Sequence, residues 1–186
     1  MSDQQKIIAG CKRNDTGARK QLYDLYAPAM LGICVRYVNE KESAQDILQE
    51  GFIKVFTKIN SYSGAGSFEG WMKKIFITSA LEYLRSTKAF RTNVGLDGYD
   101  ETADNLDVNV VEQLSADEIL QCVNELPTGL KTVFNLYAIE GYLHSEIAQM
   151  LNIKEASSRS QFARARQILQ VKIQKMNYTR NERESF

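Results

Sequence analysis

The chain has 186 residues, 25% of them charged and 44% hydrophobic, with no net charge. That is ordinary globular composition and enough length for one medium domain or two small ones. No apolar run is long enough to cross a bilayer, and the opening MSDQQKIIAG is polar, unlike a signal peptide, so a soluble, cytoplasmic protein is expected. One histidine, His144, and three scattered cysteines without CxxC spacing, Cys11, Cys34 and Cys122, argue against a metal centre, a hydrolytic triad or a disulfide framework. No cofactor and no small-molecule substrate are expected.

Only two prolines occur, strand-like alternation is scarce and 3–4 spacing dominates, so the fold class is expected to be all-α. The first helical signal covers residues 18–26, with Leu22, Leu25 and Tyr26 on one side. Pro28 should kink or restart it, since an interior proline costs about 3 kcal/mol. Ala29, Ile33 and Tyr37 carry the stripe on. Asn39 is placed to cap the next helix. There Ala44, Ile47, Leu48, Gly51, Phe52, Val55, Phe56 and Ile59 form an unbroken apolar face. Glu42, Asp46, Gln49, Glu50, Lys54 and Lys58 occupy the opposite face.

A loop of small residues, with Tyr62, Gly64, Ala65 and Ser67, follows. Ser67 should cap a helix over residues 68–88. Phe68, Trp71, Met72, Ile75, Ser79, Leu81 and Leu84 give that helix its apolar side. Its aromatics, Tyr62, Phe68, Trp71, Phe76 and Tyr83, interleave with Lys73, Lys74, Arg85 and Lys88. Such a mixture can stack bases and hold phosphates. The same spacing also suits a plain core helix.

Residues 91–114 show no sustained period and read as a linker between two helical domains, residues 1–90 and 115–186. Charge divides the chain similarly. Residues 1–91 carry 14 basic side chains against 9 acidic ones, residues 92–130 carry 9 acids and no base, and residues 131–186 carry 9 bases against 5 acids. Two basic modules on an acidic tether suit contact with polyanions; a solvated acidic loop is the plainer alternative.

In the second domain, Ser115 and Glu118 form a capping-box pattern ahead of Ile119, Leu120, Val123 and Leu126. Pro127 ends that helix and opens another, with Leu130, Val133, Phe134 and Tyr137, which Gly141 closes. A short helix over residues 144–151, a turn at Asn152 and a longer helix over residues 154–176 have the helix-turn-helix layout. Asn tolerates the left-handed conformation such a turn needs. On the last helix Ser158, Phe162, Ala165 and Leu169 should face inward. Ser157, Arg159, Ser160, Gln161, Ala163, Arg164 and Arg166 face outward, a composition suited to reading a DNA major groove.

From residues 22–88 and 120–170 the chain resembles RNA polymerase sigma factors of the extracytoplasmic-function (ECF) type. The words that carry the resemblance are LYDLYAPAMLGICVRYV, SAQDILQEGFIKVF, SGAGSFEGWMKKI with ALEYLR, and LPTGLKTVFNLYAIEGYLHSEIAQMLNI with SRSQFARAR. The resemblance implies a sigma domain 2 bundle and a sigma domain 4 helix-turn-helix. The partners it implies are core RNA polymerase, promoter DNA and an anti-sigma factor. It implies polymerase contact by Asp46, Gln49 and Glu50. It implies minus-ten contact by Tyr62, Gly64, Ala65, Ser67, Phe68, Trp71, Lys73, Lys74, Arg85 and Lys88, with the loop capturing a flipped base. Minus-thirty-five readout falls to Ser157, Arg159, Ser160, Gln161, Arg164 and Arg166. Ile77-Thr78, Gln161, Ala163, His144 and Asn152 depart from the commoner residues of the family; the first pair bears on the minus-ten preference, Gln161 and Ala163 on minus-thirty-five readout, and Asn152 is a tolerable replacement for a turn glycine. Two other readings fit parts of the sequence: a ligand-sensing helix-turn-helix regulator, and an enzyme using Glu42, Asp46 and Glu50.

Overall fold

The structure, a computed structural model, describes residues 2–38, 40–87 and 116–184, and the side chains of these except 116, 117 and 177–184. Every regular element among them is helical. Asn39, the acidic linker 91–114, Ser115 and Lys88 lie outside the described residues. The chain divides into two compact units, Met1–Ser86 and Thr87–Phe186.

Unit 1 starts with a helix for which the sequence reading made no provision, α1 (Asp3–Lys12). A capping box starts it: the Gln5 amide donates to the Ser2 hydroxyl, and the Ser2 amide donates to the Gln5 side chain. α2 (Thr16–Tyr37) begins earlier than its apolar stripe, because the Asp15 carboxylate accepts from the Ala18 amide at 2.6 Å. It runs unbroken through Pro28 rather than restarting there. Pro28 is exposed, so the backbone acceptor it leaves without an intrahelical partner is open to water. Of the expected inner stripe, Leu22, Ile33 and Tyr37 are buried, whereas Leu25 and Ala29 are exposed; Met30 and Cys34 complete the core.

α3 (Lys41–Lys58) follows, with Glu40 at its N-cap and no side-chain cap bond. Its expected inner face is buried from Ala44 to Ile59, except that Phe56 is half-buried. A single 3-10 turn (Ile59–Ser61) leads to the loop and then α4 (Phe68–Ser86). Ser67 caps α4, its hydroxyl accepting from the Gly70 amide at 2.9 Å. α2 packs against α1, α3 and α4, and α3 packs against α4. The inner side of α4 is deeper than its sequence pattern indicated: Phe76, Ile77 and Ala80 are buried, while Trp71 and Ile75 are half-buried. Each large apolar side chain taken fully out of water contributes about 1.5–3 kcal/mol.

Unit 2 contains α5 (Ala116–Asn124), α6 (Thr128–Phe134) with a π-helical turn (Asn135–Ile139), α7 (His144–Leu151) and α8 (Glu155–Glu184). Pro127 sits at the N-cap of α6, where a missing amide hydrogen costs nothing. Gly141 ends the segment at φ +78°. Cys122, Val123, Leu126, Leu130, Ala165, Leu169 and Ile173 form one core cluster binding α5, α6 and α8. Lys131 is buried in this unit, and burial pushes its ammonium down to about 8. All three cysteines are buried and free, and burial pushes the Cys34 thiol up to about 12, which leaves it inert.

Gly51 decides how closely α3 and α4 approach. A Cβ there would lie 2.2 Å from the Phe76 ring, whose centroid is 5.2 Å from that of Phe52 in an edge-on contact. Gly51→Ala should destabilise unit 1 by up to about 2 kcal/mol, an overpacking cost of ~1–3 kcal/mol partly offset by alanine's helix preference of ~1 kcal/mol. Urea unfolding followed by the fluorescence of Trp71, the chain's single tryptophan, reports on this unit alone.

Candidate nucleic-acid and polymerase interfaces

On α3, Asp46, Gln49 and Glu50 are exposed. Gln49 lines a groove of about 550 Å³ between α2 and α3, together with Tyr23, Ala27, Pro28, Leu31, Gln45 and Leu48. Glu50 is already engaged. Lys54 pairs with it at 2.7 Å and with Glu82 of α4 at 2.6 Å, and also donates to the Ser79 hydroxyl. Burial alone would lower the Lys54 pKa, but the bonds from Glu50 and Glu82 outweigh it and raise the value. Glu50 and Glu82 each remain about half exposed, so either pair exchanges for another partner at little cost.

The loop between the 3-10 turn and α4 is closed on itself. The Tyr62 hydroxyl donates to the Gly66 carbonyl at 2.8 Å, and the Ala65 amide donates to the Ser63 hydroxyl. Gly64 and Gly66 sit at φ +85° and +76°, where side-chain-bearing residues are strained. Under the loop lie three rings. Phe68 and Trp71 are stacked at 5.5 Å, and Tyr62 meets Phe68 at 5.1 Å and Trp71 at 5.6 Å. Phe68 is buried and forms the floor, whereas Tyr62 and Trp71 are half-buried and present ring surface outward. Phe76, which the sequence placed among the stacking aromatics, is a core residue with no exposed face.

Helical geometry sorts the cations of α4. Trp71, Lys74, Thr78 and Arg85 share one face, and Lys74 and Arg85 are exposed. Lys73 points elsewhere and pairs with Glu69 at 2.9 Å. Gly64, Ala65 and Ser67 are exposed at the loop surface.

In unit 2, α7 ends in Asn152 at φ +54°, ψ +50°, the left-handed turn conformation expected for it. The turn is followed by α8, which begins at Glu155. Ser158, Ala165 and Leu169 are buried on its inner side and Phe162 is half-buried. Ser160, Ala163 and Arg164 lie at the centre of the outer side, with Ser157 and Gln161 along one edge and Arg159 and Arg166 along the other. Arg159 pairs with Glu155 at 2.5 Å, an exposed contact of small net value.

The two helices of the turn are joined by polar and aromatic contacts. His144 Nδ1 and the Ser158 hydroxyl share a hydrogen bond of 2.9 Å. The His144 ring stacks on Tyr137 at 4.2 Å, and Phe162 touches both rings and Phe134. No sequence pattern flags this cluster, because its members come from three elements.

The two units define a class of protein: an all-helical chain with an aromatic-floored loop in its first unit and a basic helix-turn-helix in its second. Residues 22–90 match the family model Sigma-70 region 2, and residues 116–169 match Sigma-70, region 4. An ECF RNA polymerase sigma-E factor of Haemophilus influenzae is 29% identical over 91% of this chain and 95% of its own length. The RNA polymerase sigma-H factor of Pseudomonas aeruginosa is 27% identical over 91% and 93%. Among solved structures, the sigma factor RpoE in complex with the anti-sigma factor NepR from Bartonella quintana has the same fold (TM-score 0.51, 18% identity, 84% of this chain and 96% of that one). CnrH in complex with the cytosolic domain of CnrY compares similarly (TM-score 0.50, 17%, 90% and 95%). The chain belongs to the sigma-70 family and is an ECF-type RNA polymerase sigma factor, acting in promoter-specific transcription initiation.

Burial, with Arg159 nearby, lowers the His144 pKa, and Glu155 opposes this weakly. A histidine whose folded pKa lies below its unfolded value of about 6.5 destabilises the fold as pH falls through that value, since the unfolded chain takes up the proton more readily. Hydrogen-exchange protection of α7 and α8 should therefore decline between pH 7 and pH 5. His144→Phe, which keeps a ring on Tyr137, should show a flatter profile over the same range.

Proposed function

We propose a division of labour between the faces described above. Residues 1–90 act as sigma domain 2, residues 91–114 as the linker and residues 115–186 as sigma domain 4. Asp46, Gln49 and Glu50 contact core polymerase beside the α2–α3 groove. The Tyr62–Ser67 loop, floored by Phe68 and walled by Trp71, captures a base flipped from the minus-ten element. Lys74 and Arg85 hold the neighbouring phosphates, with Lys73 recruited from its pair with Glu69; Lys88 is assigned with them from the sequence alone. Ser157, Arg159, Ser160, Gln161, Arg164 and Arg166 read the minus-thirty-five element. The protein works in the cytoplasm, performs no covalent chemistry of its own, and is held in check by an anti-sigma factor. The last point is supported by RpoE, which was solved with its anti-sigma factor NepR.

The observation that carries the reading is the closed loop itself. Its two left-handed glycines and the Tyr62–Gly66 bond shape it over partly exposed rings, with Lys74 and Arg85 on the face that Trp71 shares. Extruding a base costs a few kcal/mol of unstacking, which aromatic contact of about 1–3 kcal/mol per base and phosphate contacts can offset. A polar pocket for a small substrate would need convergent buried polar groups, and the loop surface offers backbone and ring faces instead.

Run-off transcription with core polymerase over a promoter library recovers a working promoter. On it, Gly64→Val with Gly66→Val should cut open-complex formation by at least about tenfold, since each valine at positive φ costs roughly 1–2 kcal/mol. Permanganate footprinting measures the opening. Core binding by the variant should match the wild type. Normal opening by the double variant would overturn the base-capture reading.

A further inference from the structure

The loop is held from outside by a helix that precedes the matched region-2 stretch. Lys12, the last residue of α1, donates from Nζ to the Tyr62 carbonyl oxygen at 2.9 Å across 50 residues of sequence. The same ammonium lies 5.9 Å from the centroid of the Tyr62 ring, within reach of a cation–π contact. Tyr62 is thus fixed at three points: its carbonyl by Lys12, its ring by Phe68 and Trp71, and its hydroxyl by Gly66.

α1 is itself firmly placed. A Cβ on Gly10 would lie 2.5 Å from the Ala18 Cβ, so α1 and α2 cross at close range. Cys11 is completely buried, and the Gln4 amide donates to the Tyr26 hydroxyl at 2.5 Å. Tyr26 in turn meets the Phe68 floor edge-on at 6.0 Å. α1 also packs against the 3-10 turn that feeds the loop.

We propose that Lys12 is a positioning residue for base capture: its ammonium holds Tyr62 so that the loop is formed before the base arrives. This rests on the reading of the loop as the base-capturing site. The physical basis is ordering entropy. Fixing a backbone residue costs about 1–2 kcal/mol, so a loop left to order during capture would spend the stacking energy that has to offset base extrusion. A charge-assisted hydrogen bond to a backbone carbonyl is strong enough to bias one loop conformation. Lys12 acts through Tyr62 and need not touch DNA.

The test uses holoenzyme reconstituted with the full chain and the promoter recovered from the library. Lys12→Met keeps the aliphatic stem and removes the donor; Lys12→Arg keeps charge and donor. Binding of the single-stranded minus-ten oligonucleotide is compared with that of the same strand abasic at the captured position. Lys12→Met should weaken binding of the intact strand about tenfold, the scale of one lost charge-assisted bond. Its preference over the abasic strand should collapse, and Lys12→Arg should restore both to within about twofold. Core affinity should stay at the wild-type value, and the urea midpoint should fall by no more than the loss of one hydrogen bond accounts for. If Lys12→Met lowers the midpoint by more than that, Lys12→Leu, likewise without a donor, is read in its stead. Wild-type base preference in these variants, while the Gly64/Gly66 double valine variant loses opening, overturns the role of Lys12 and leaves the loop reading standing. Wild-type behaviour in all of them overturns both.

Discussion

The contact between Gly51 and the Phe76 ring sets the geometry of unit 1. Because α3 carries no side chain there, α4 can lie against it with an aromatic ring between them. Everything assigned to this unit hangs on that approach. The outer face of α3 carries the residues proposed to meet polymerase, Asp46, Gln49 and Glu50, while α4 carries Lys74 and Arg85 and starts at the loop. Lys54 then ties the two helices on the outside, bridging Glu50 and Glu82. A close-packed interior transmits small shifts, so the outer faces of these two helices, proposed to meet polymerase and promoter, move together.

Unit 2 solves a different problem with different chemistry. A helix-turn-helix must present one helix outward while the other holds it, so the junction has to be short and rigid. Asn152 supplies the turn in a left-handed conformation. The His144–Ser158 bond and the ring cluster of Phe134, Tyr137, His144 and Phe162 then fix the start of α8. On the outer side, the exposed Arg159–Glu155 pair is a contact of small net value that another partner displaces cheaply.

Where periodicity was strong, the sequence read well. The inner face of α3 needed no structure to see, because helical spacing and burial report the same property. The bounds of α7 and the role of Asn152 were equally legible, since turn chemistry is local. α1 leaves little trace in the sequence, because its polar composition hides a short helix that is stabilised by a capping box and by packing on α2. Pro28 does not restart α2, because the flanking residues of the helix are held by burial on both sides of it, Leu22 before and Met30, Ile33 and Cys34 after. Phe76 looked like a stacking ring because composition cannot tell an inward aromatic from an outward one. Lys12 carried no signal at all: a bond between residues 12 and 62 leaves no trace in spacing. The family resemblance supplied roles for exposed residues that periodicity had only marked as exposed.

Pro28 has a further effect on the groove it lines. Lacking an amide hydrogen, it leaves the Asp24 carbonyl without the bond that residue 28 normally gives in a helix. One turn before Pro28, which lines the groove with Ala27, Leu31 and Leu48, the main chain of α2 thus keeps an acceptor that the helix does not use. No substitution at residue 24 can erase it. Any protein that covers this part of α2 must bring a donor or leave room for a water, so the proline writes a polar requirement into a surface whose side chains are mostly apolar.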